Sequence, residues 1–150
     1  MSGIIGGAGS KSGVIGTTEL DYEEGEFTVA HAVTSGSLSL SSSYNTASYC
    51  RIGNMVTIRG NLYSTAGSGW GYLQITLPFV SANYAEEGEV GGGGIATYSV
   101  NHEAGTMCWE LPAGGSTYVL FKVSRPSNSW GAINFAAGDY YMFTINYMTS

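Results

Sequence analysis

Five carboxylates fall within eight residues near the start of this chain: Glu19, Asp21, Glu23, Glu24 and Glu26, in the run GTTELDYEEGEFTVA. They are nearly half of its eleven acidic residues, so acid/base or cation chemistry is sought there first. Glycoside hydrolysis needs two carboxyl groups held across a sugar bond by a rigid cleft. Five acids on one joint do not provide that. Calcium accepts such oxygens, but the run lacks the Asp/Asn ladder, central Gly and terminal bidentate Glu of a calcium loop. A solvated acidic turn is the first reading, with calcium or a basic patch on a partner as the alternatives.

The other chemistry-bearing residues are scattered. His31 lies on the apolar face of a strand-like run and reads as a core histidine, whereas His102, in NHEAG, is expected to be exposed. His102 and Glu103 followed by Cys108 make a donor group, without the repeated ligand spacing of a zinc site. Cys50 and Cys108 form no Cys-x-x-Cys motif and are expected as free, buried thiols rather than a disulfide. No Gly-x-Ser-x-Gly elbow occurs. GGAGSKSG lacks the Gly-Lys-Ser/Thr of a phosphate loop, and no strand precedes it. The glycines Gly91 to Gly94 read as a backbone device. The sequence therefore predicts no enzyme and no cofactor, calcium being the one ion left open.

Aromatic side chains are the remaining candidates for recognition. Trp70 (GSGWGY), Trp130 (SNSWGA), Tyr84 (SANYAE) and Tyr44 stand in loop-like contexts. There they can stack on a sugar or insert into a protein neighbour. The first reading is nevertheless that each Trp caps an end of the core, with recognition as the alternative.

The elements that must hold these residues are set by composition and periodicity. A chain of 150 residues suits one domain. It is 43% hydrophobic but only 11% charged, with 23 Gly and 11 Tyr, which favours short strands and tight turns over helices. The net charge of −6 and the dispersal of Lys11, Arg51, Arg59, Lys122 and Arg125 argue against nucleic acid, which needs clustered cations. No run approaches the roughly 20 apolar residues of a membrane span. The opening MSGIIGGAGSKSGVIG lacks the basic and apolar regions of a signal peptide, so a product made in the cytoplasm is expected.

Residues 1–18 form the first unit, an extended Gly-rich arm whose large apolar groups are Ile4, Ile5, Val14 and Ile15. It cannot bury enough surface to fold alone. It is expected to dock on a partner chain through those four side chains, or else to lie on its own domain. Residues 19–150 alternate with period two. Phe27, Val29, His31 and Val33 share one face, as do Leu38 and Leu40. SYCRIGNMVTIRGNLYS reads as a hairpin about Gly53-Asn54, with Val56, Ile58 and Leu62 on one face and Thr57, Arg59, Asn61 and Tyr63 on the other. GYLQITLPF, GGGGIATYSV, GTMCWEL, STYVLFKVS and DYYMFTINYM complete eight or nine strands. The expected fold is an all-β antiparallel sandwich of jelly-roll type. Val119, Phe121 and Val123 oppose Tyr118, Leu120 and Lys122, so one face of that strand is free for a neighbouring subunit.

Three stretches, SGVIGTTELDYEEGEFTV, YNTASYCRIGNMVTIRGNL and LQITLPF, in this order, resemble a virion protein family of tailed bacteriophages. That family includes C-terminal domains of tail fibres and small standalone virion proteins. The resemblance covers about residues 10–80 well. It implies a non-enzymatic homotrimeric jelly roll in a virion, made in the host cytoplasm. Its partners would be other copies of itself and capsid or tail proteins. In the family the DYEEG turn precedes an aromatic strand opener. Here it would form an arm–domain joint of Asp21, Tyr22, Glu23, Glu24, Gly25 and Phe27, with Tyr22 and Phe27 as anchors and Gly25 redirecting the chain. With no fibre shaft in this sequence, a capsid decoration (cement) protein or a small fibre is favoured. The alternative is a receptor-binding tip contacting host surface polysaccharide through Trp70, Trp130 and Tyr84.

Overall fold

The computed structural model describes residues 21–83, 92–126 and 129–149, and among these the chain is all-β. In order, the strands are β1 (Tyr22–Thr28), β2 (His31–Val33), β3 (Ser37–Leu40), β4 (Thr46–Ile52), β5 (Met55–Ser68), β6 (Trp70–Gly71) and β7 (Leu73–Thr76). They continue with β8 (Gly92–Tyr98), β9 (Asn101–His102), β10 (Thr106–Glu110), β11 (Tyr118–Ser124), β12 (Trp130–Gly131), β13 (Ile133–Asn134) and β14 (Tyr140–Met148). All their pairings are antiparallel.

One curled sheet runs β1-β4-β5-β14-β8-β10-β11-β7-β2, with β3 attached to β5 and β12 to β11; β6, β13 and β9 form a small second sheet. The fold line is β8. Its Gly92, Gly93 and Gly94 pair with β10, whereas Ile95 to Tyr98 pair with β14. The two halves thus share a strand and close over one core as a sandwich. Glycine at position 93 seats the Trp109 indole, whose nitrogen would lie 2.5 Å from an added Cβ.

Alternation decides which side chains enter the core. On β5, Val56, Ile58 and Leu62 point inward and are fully buried, as the period-two pattern requires. Tyr141, Phe143, Ile145 and Tyr147 meet them from β14, and Val119, Phe121 and Val123 close the core from β11. The expected hairpin is present: Ile52 faces Met55 across a two-residue turn, and Gly53 takes φ +57°. A positive φ at the first central position, with a negative one at Asn54, is the type II′ pattern that matches strand twist.

Two expectations change. The run EFTVAHAV is not one strand. It breaks after Thr28, β1 joining β4 and β2 joining β7 in the other half. Val29 is buried at this crossing point, while His31 and Val33 are only half-buried. DYEEG, expected as a turn, lies almost wholly within β1, in unbroken register with β4 from Tyr22–Ile52 to Thr28–Thr46. The arm, residues 1–18, lies outside the described residues.

Candidate functional site

Because β1 is a strand, its acids separate onto two faces. Asp21 and Glu23 turn toward Arg51, at 3.4 and 4.0 Å, and Glu23 also accepts a 2.7 Å hydrogen bond from the Tyr49 hydroxyl. That bond pushes the Tyr49 phenol upward in pKa. Arg51 in turn stacks 5.3 Å from the Phe79 ring centroid. Together they seal the sandwich margin. Glu24 and Glu26 point to the outer face. There Glu24 accepts a 2.5 Å hydrogen bond from the Tyr22 hydroxyl, which pushes the Tyr22 phenol up to about 12.

The joint residues are thus corrected in detail. Phe27 is half-buried, packs on the core and lies 6.3 Å from the Tyr49 ring, as an anchor should. Tyr22 is exposed on the outer face and anchors nothing in the core. Gly25 does not redirect the chain. It sits mid-strand opposite Tyr49, where an added Cβ would come within 3.0 Å of the phenol ring. Glycine is there to seat that ring.

His31 is half-buried with Nε2 3.1 Å from the Leu38 carbonyl oxygen, a satisfied structural histidine. His102 was expected in an exposed turn but is half-buried in β9, its Nδ1 2.7 Å from the Glu103 carbonyl. Glu103 pairs with Arg125 at 3.2 Å and accepts the Ala132 N–H at 2.7 Å. Among the described residues, no three His, Cys, Asp or Glu side chains gather to hold a metal. Cys50 and Cys108 are free and half-buried. Burial pushes the Cys108 thiol up, against the opposing pull of the Ser124 backbone and Lys122.

The tryptophans do not cap the core. Trp70 and Trp130 stand in short strands and are 45% and 47% exposed; Trp109 is the indole in the core. Trp130 lies over the Lys122 ammonium at 3.6 Å, and Lys122 also pairs with Glu110. Lys122 projects from the outer face of β11 yet is only 3% exposed. A 420 Å³ groove lined by Gly92, Gly93, Cys108, Glu110, Ser124 and Trp130 opens beside this cluster. Trp70 belongs to a separate ladder, opposite Asn134. Tyr84 and the anchors Ile4, Ile5, Val14 and Ile15 lie outside the described residues, as does Glu19.

The feature that residue-by-residue reading missed is the outer face of the half β1-β4-β5-β14-β8. Tyr63, Tyr140 and Tyr98 are directly opposite one another across three strands, with centroids 4.6 and 6.0 Å apart, and Tyr44 joins edge-on at 5.8 Å from Tyr63. At the other end of the same strands Tyr22, Ile52, Met55 and Met148 form a second row, all exposed. Between the rows lie Glu24, Glu26, Ser48, Thr57, Arg59, Thr144 and Asn146. Alternation had placed Tyr63 and Arg59 on one face; only register across four strands reveals the rows.

No family model, no curated protein and no solved structure matches this chain.

Proposed function

We propose that this protein is a non-enzymatic structural component of a tailed-phage virion. It is a homotrimeric surface protein, of capsid decoration or small-fibre type, attached through residues 1–18. The sequence order of DYEEG, the IGN-x-V-T-I-x-G hairpin and the LPF strand end supports this reading. The observation that supports it best is the exposed row of Tyr22, Ile52, Met55 and Met148, with a partly exposed tyrosine row at the other end of the same low-charge sheet. Such a surface suits assembly. The jelly-roll lineage belongs to this proposal, as do the absence of catalysis and of an obligatory cofactor. Deleting residues 2–17 is expected to leave folding and melting of the sandwich unchanged while abolishing incorporation into particles. Normal loading of the truncated chain would remove the arm from the account.

A second reading has one observation in its favour. Trp130 is exposed beside a groove carrying Glu110 and Ser124, an arrangement suited to stacking a sugar ring and accepting its hydroxyls. On that reading the protein is a fibre tip recognising host polysaccharide. Trp130→Ala combined with Trp70→Ala then abolishes host adsorption and leaves particle incorporation intact. Unchanged adsorption would eliminate the tip.

A further inference from the structure

We infer that the outer face of β1-β4-β5-β14-β8 is where copies of this chain meet, the β1 margin of one copy against the β5 centre of the next about a symmetry axis running along the strands. The inference rests on the self-association proposed above and gives it a location.

The face is chemically incomplete in one chain. Arg59 is exposed on β5, and no carboxylate among the described residues pairs with it. Glu26, exposed on β1, is equally unpaired, and the register places it level with Arg59: Glu26 faces Ser48, and Ser48 faces Arg59. With β4 between them they stand two strand spacings apart, roughly 10 Å. An axis parallel to the strands keeps levels aligned between copies, whether two or three meet. The acidic margin of one copy then comes level with the cationic centre of the next, and Arg59 meets Glu26 across the interface. The Tyr22, Ile52 and Met55 row then meets its own kind, Met55 level with Tyr22 and Ile52 with Ile52, while Tyr140 and Tyr98 lie beyond the contact.

Shape agrees with charge. Small residues depress the face beside Arg59, where a 600 Å³ hollow is lined by Gly60, Gly94, Ala96, Met142 and Thr144. It leaves room beside Arg59 for a side chain of a neighbouring copy. Seven exposed large hydrophobic side chains lie on or beside this face: Tyr22, Tyr44, Ile52, Met55, Tyr98, Met142 and Met148. A neighbouring copy set against β1, β4 and β5 covers Tyr22, Ile52 and Met55 among them.

The test is a charge swap read by sedimentation equilibrium on the full chain. Arg59→Glu and Glu26→Arg singly each place like charges opposite one another and should weaken association about tenfold or more. The double variant R59E/E26R restores the pairing and should return association to near the wild-type strength. Met55→Glu, which buries an unpaired charge in the apolar row, should also dissociate the oligomer. An oligomer of unchanged strength in both charge reversals and in Met55→Glu would overturn this face while leaving self-association standing. A wild-type chain that is monomeric at its highest soluble concentration would overturn both.

Discussion

The two halves of the sandwich treat their outer faces in opposite ways. On the half containing β10, β11 and β7, the chain covers itself: Lys122 is buried under Trp130 and beside Glu110, and Tyr118 and Leu120 are half-buried. On the half containing β1, β4, β5 and β14, Tyr44 leans on the half-buried Tyr63 and Tyr140, while Tyr22, Ile52, Met55, Tyr98, Met142 and Met148 stay exposed. The same alternating grammar built both sheets. The difference lies in how the chain leaves each strand. After β11 it returns as β12, which lays an indole back over the sheet, whereas among the described residues the chain lays one ring, Tyr44, over one end of β5 and β14. A free subunit face was expected on the strand of Val119, Phe121 and Val123. The structure presents a larger open face on β5 and β14.

The strongest way to break the comparison is through the core both halves share. Phe121 is fully buried against Tyr141 and Phe143, at 6.5 and 5.3 Å. Phe121→Ala is expected to cost about 3–5 kcal/mol, measured by urea unfolding. Tyr140→Ala, on the open face, should cost far less stability in the separated chain. Equal losses would mean that the tyrosine row is part of the fold rather than a surface.

A smaller effect sharpens the closed half. Lys122→Ala leaves the Glu110 carboxylate and the Trp130 ring without their cation. Glu110 is partly solvated, so the loss should be about 1–3 kcal/mol rather than the full cost of breaking a buried pair. Lys122→Met with Glu110→Gln should recover most of it. If the single and double variants are equally unstable, the ion pair is not what holds the cap.

Next comes a buried carboxyl at the entrance to β14. Asp139 is 1% exposed; it accepts the Ala136 N–H at 3.0 Å, the Tyr141 hydroxyl lies 3.4 Å away, and its Oδ1 has no partner. Burial pushes this carboxyl up. The folded state therefore favours the proton. The stability this contributes is full below the ordinary carboxyl range and is lost as pH rises through the raised value. Asp139→Asn cannot titrate. Its stability relative to wild type should climb as pH rises from 4 to 7, read from paired urea midpoints, and a flat difference would contradict the assignment.

The smallest effect concerns a single exposed hydrogen bond. Glu24→Gln should bring the Tyr22 phenol down from about 12 toward its ordinary value of about 10, followed by ultraviolet titration, with little change in stability.

These contrasts show what the sequence made legible. Strands were readable because alternation is a local signal: Val56, Ile58 and Leu62 lie inward where period two puts them. So was the Gly53-Asn54 hairpin, since a turn is local chemistry. The break between Thr28 and His31 was not, because alternation continues unchanged while the partners switch from β4 to β7. The acidic run was misread as a turn because carboxylates suggest solvent, whereas on an edge strand they discourage pairing with other edges. The Lys122–Trp130 cap and the tyrosine row needed register between strands distant in sequence, which no single stretch contains. The exposure of Trp70 and Trp130 was readable from their Gly- and Ser-rich contexts, and the groove beside Trp130 was not.

The central claim, that the open face is a contact between copies, is most directly tested by disulfide trapping. In a Cys50→Ser, Cys108→Ser background, Glu26→Cys and Arg59→Cys place two thiols roughly 10 Å apart within one chain, beyond the roughly 7 Å Cα limit for a disulfide. Any bond between them must therefore join different chains. Mild oxidation of the dilute protein should give discrete covalent oligomers on a denaturing gel, with neither single-cysteine variant forming the same ladder. A product that stays monomeric, while sedimentation still shows an oligomer, would contradict the account.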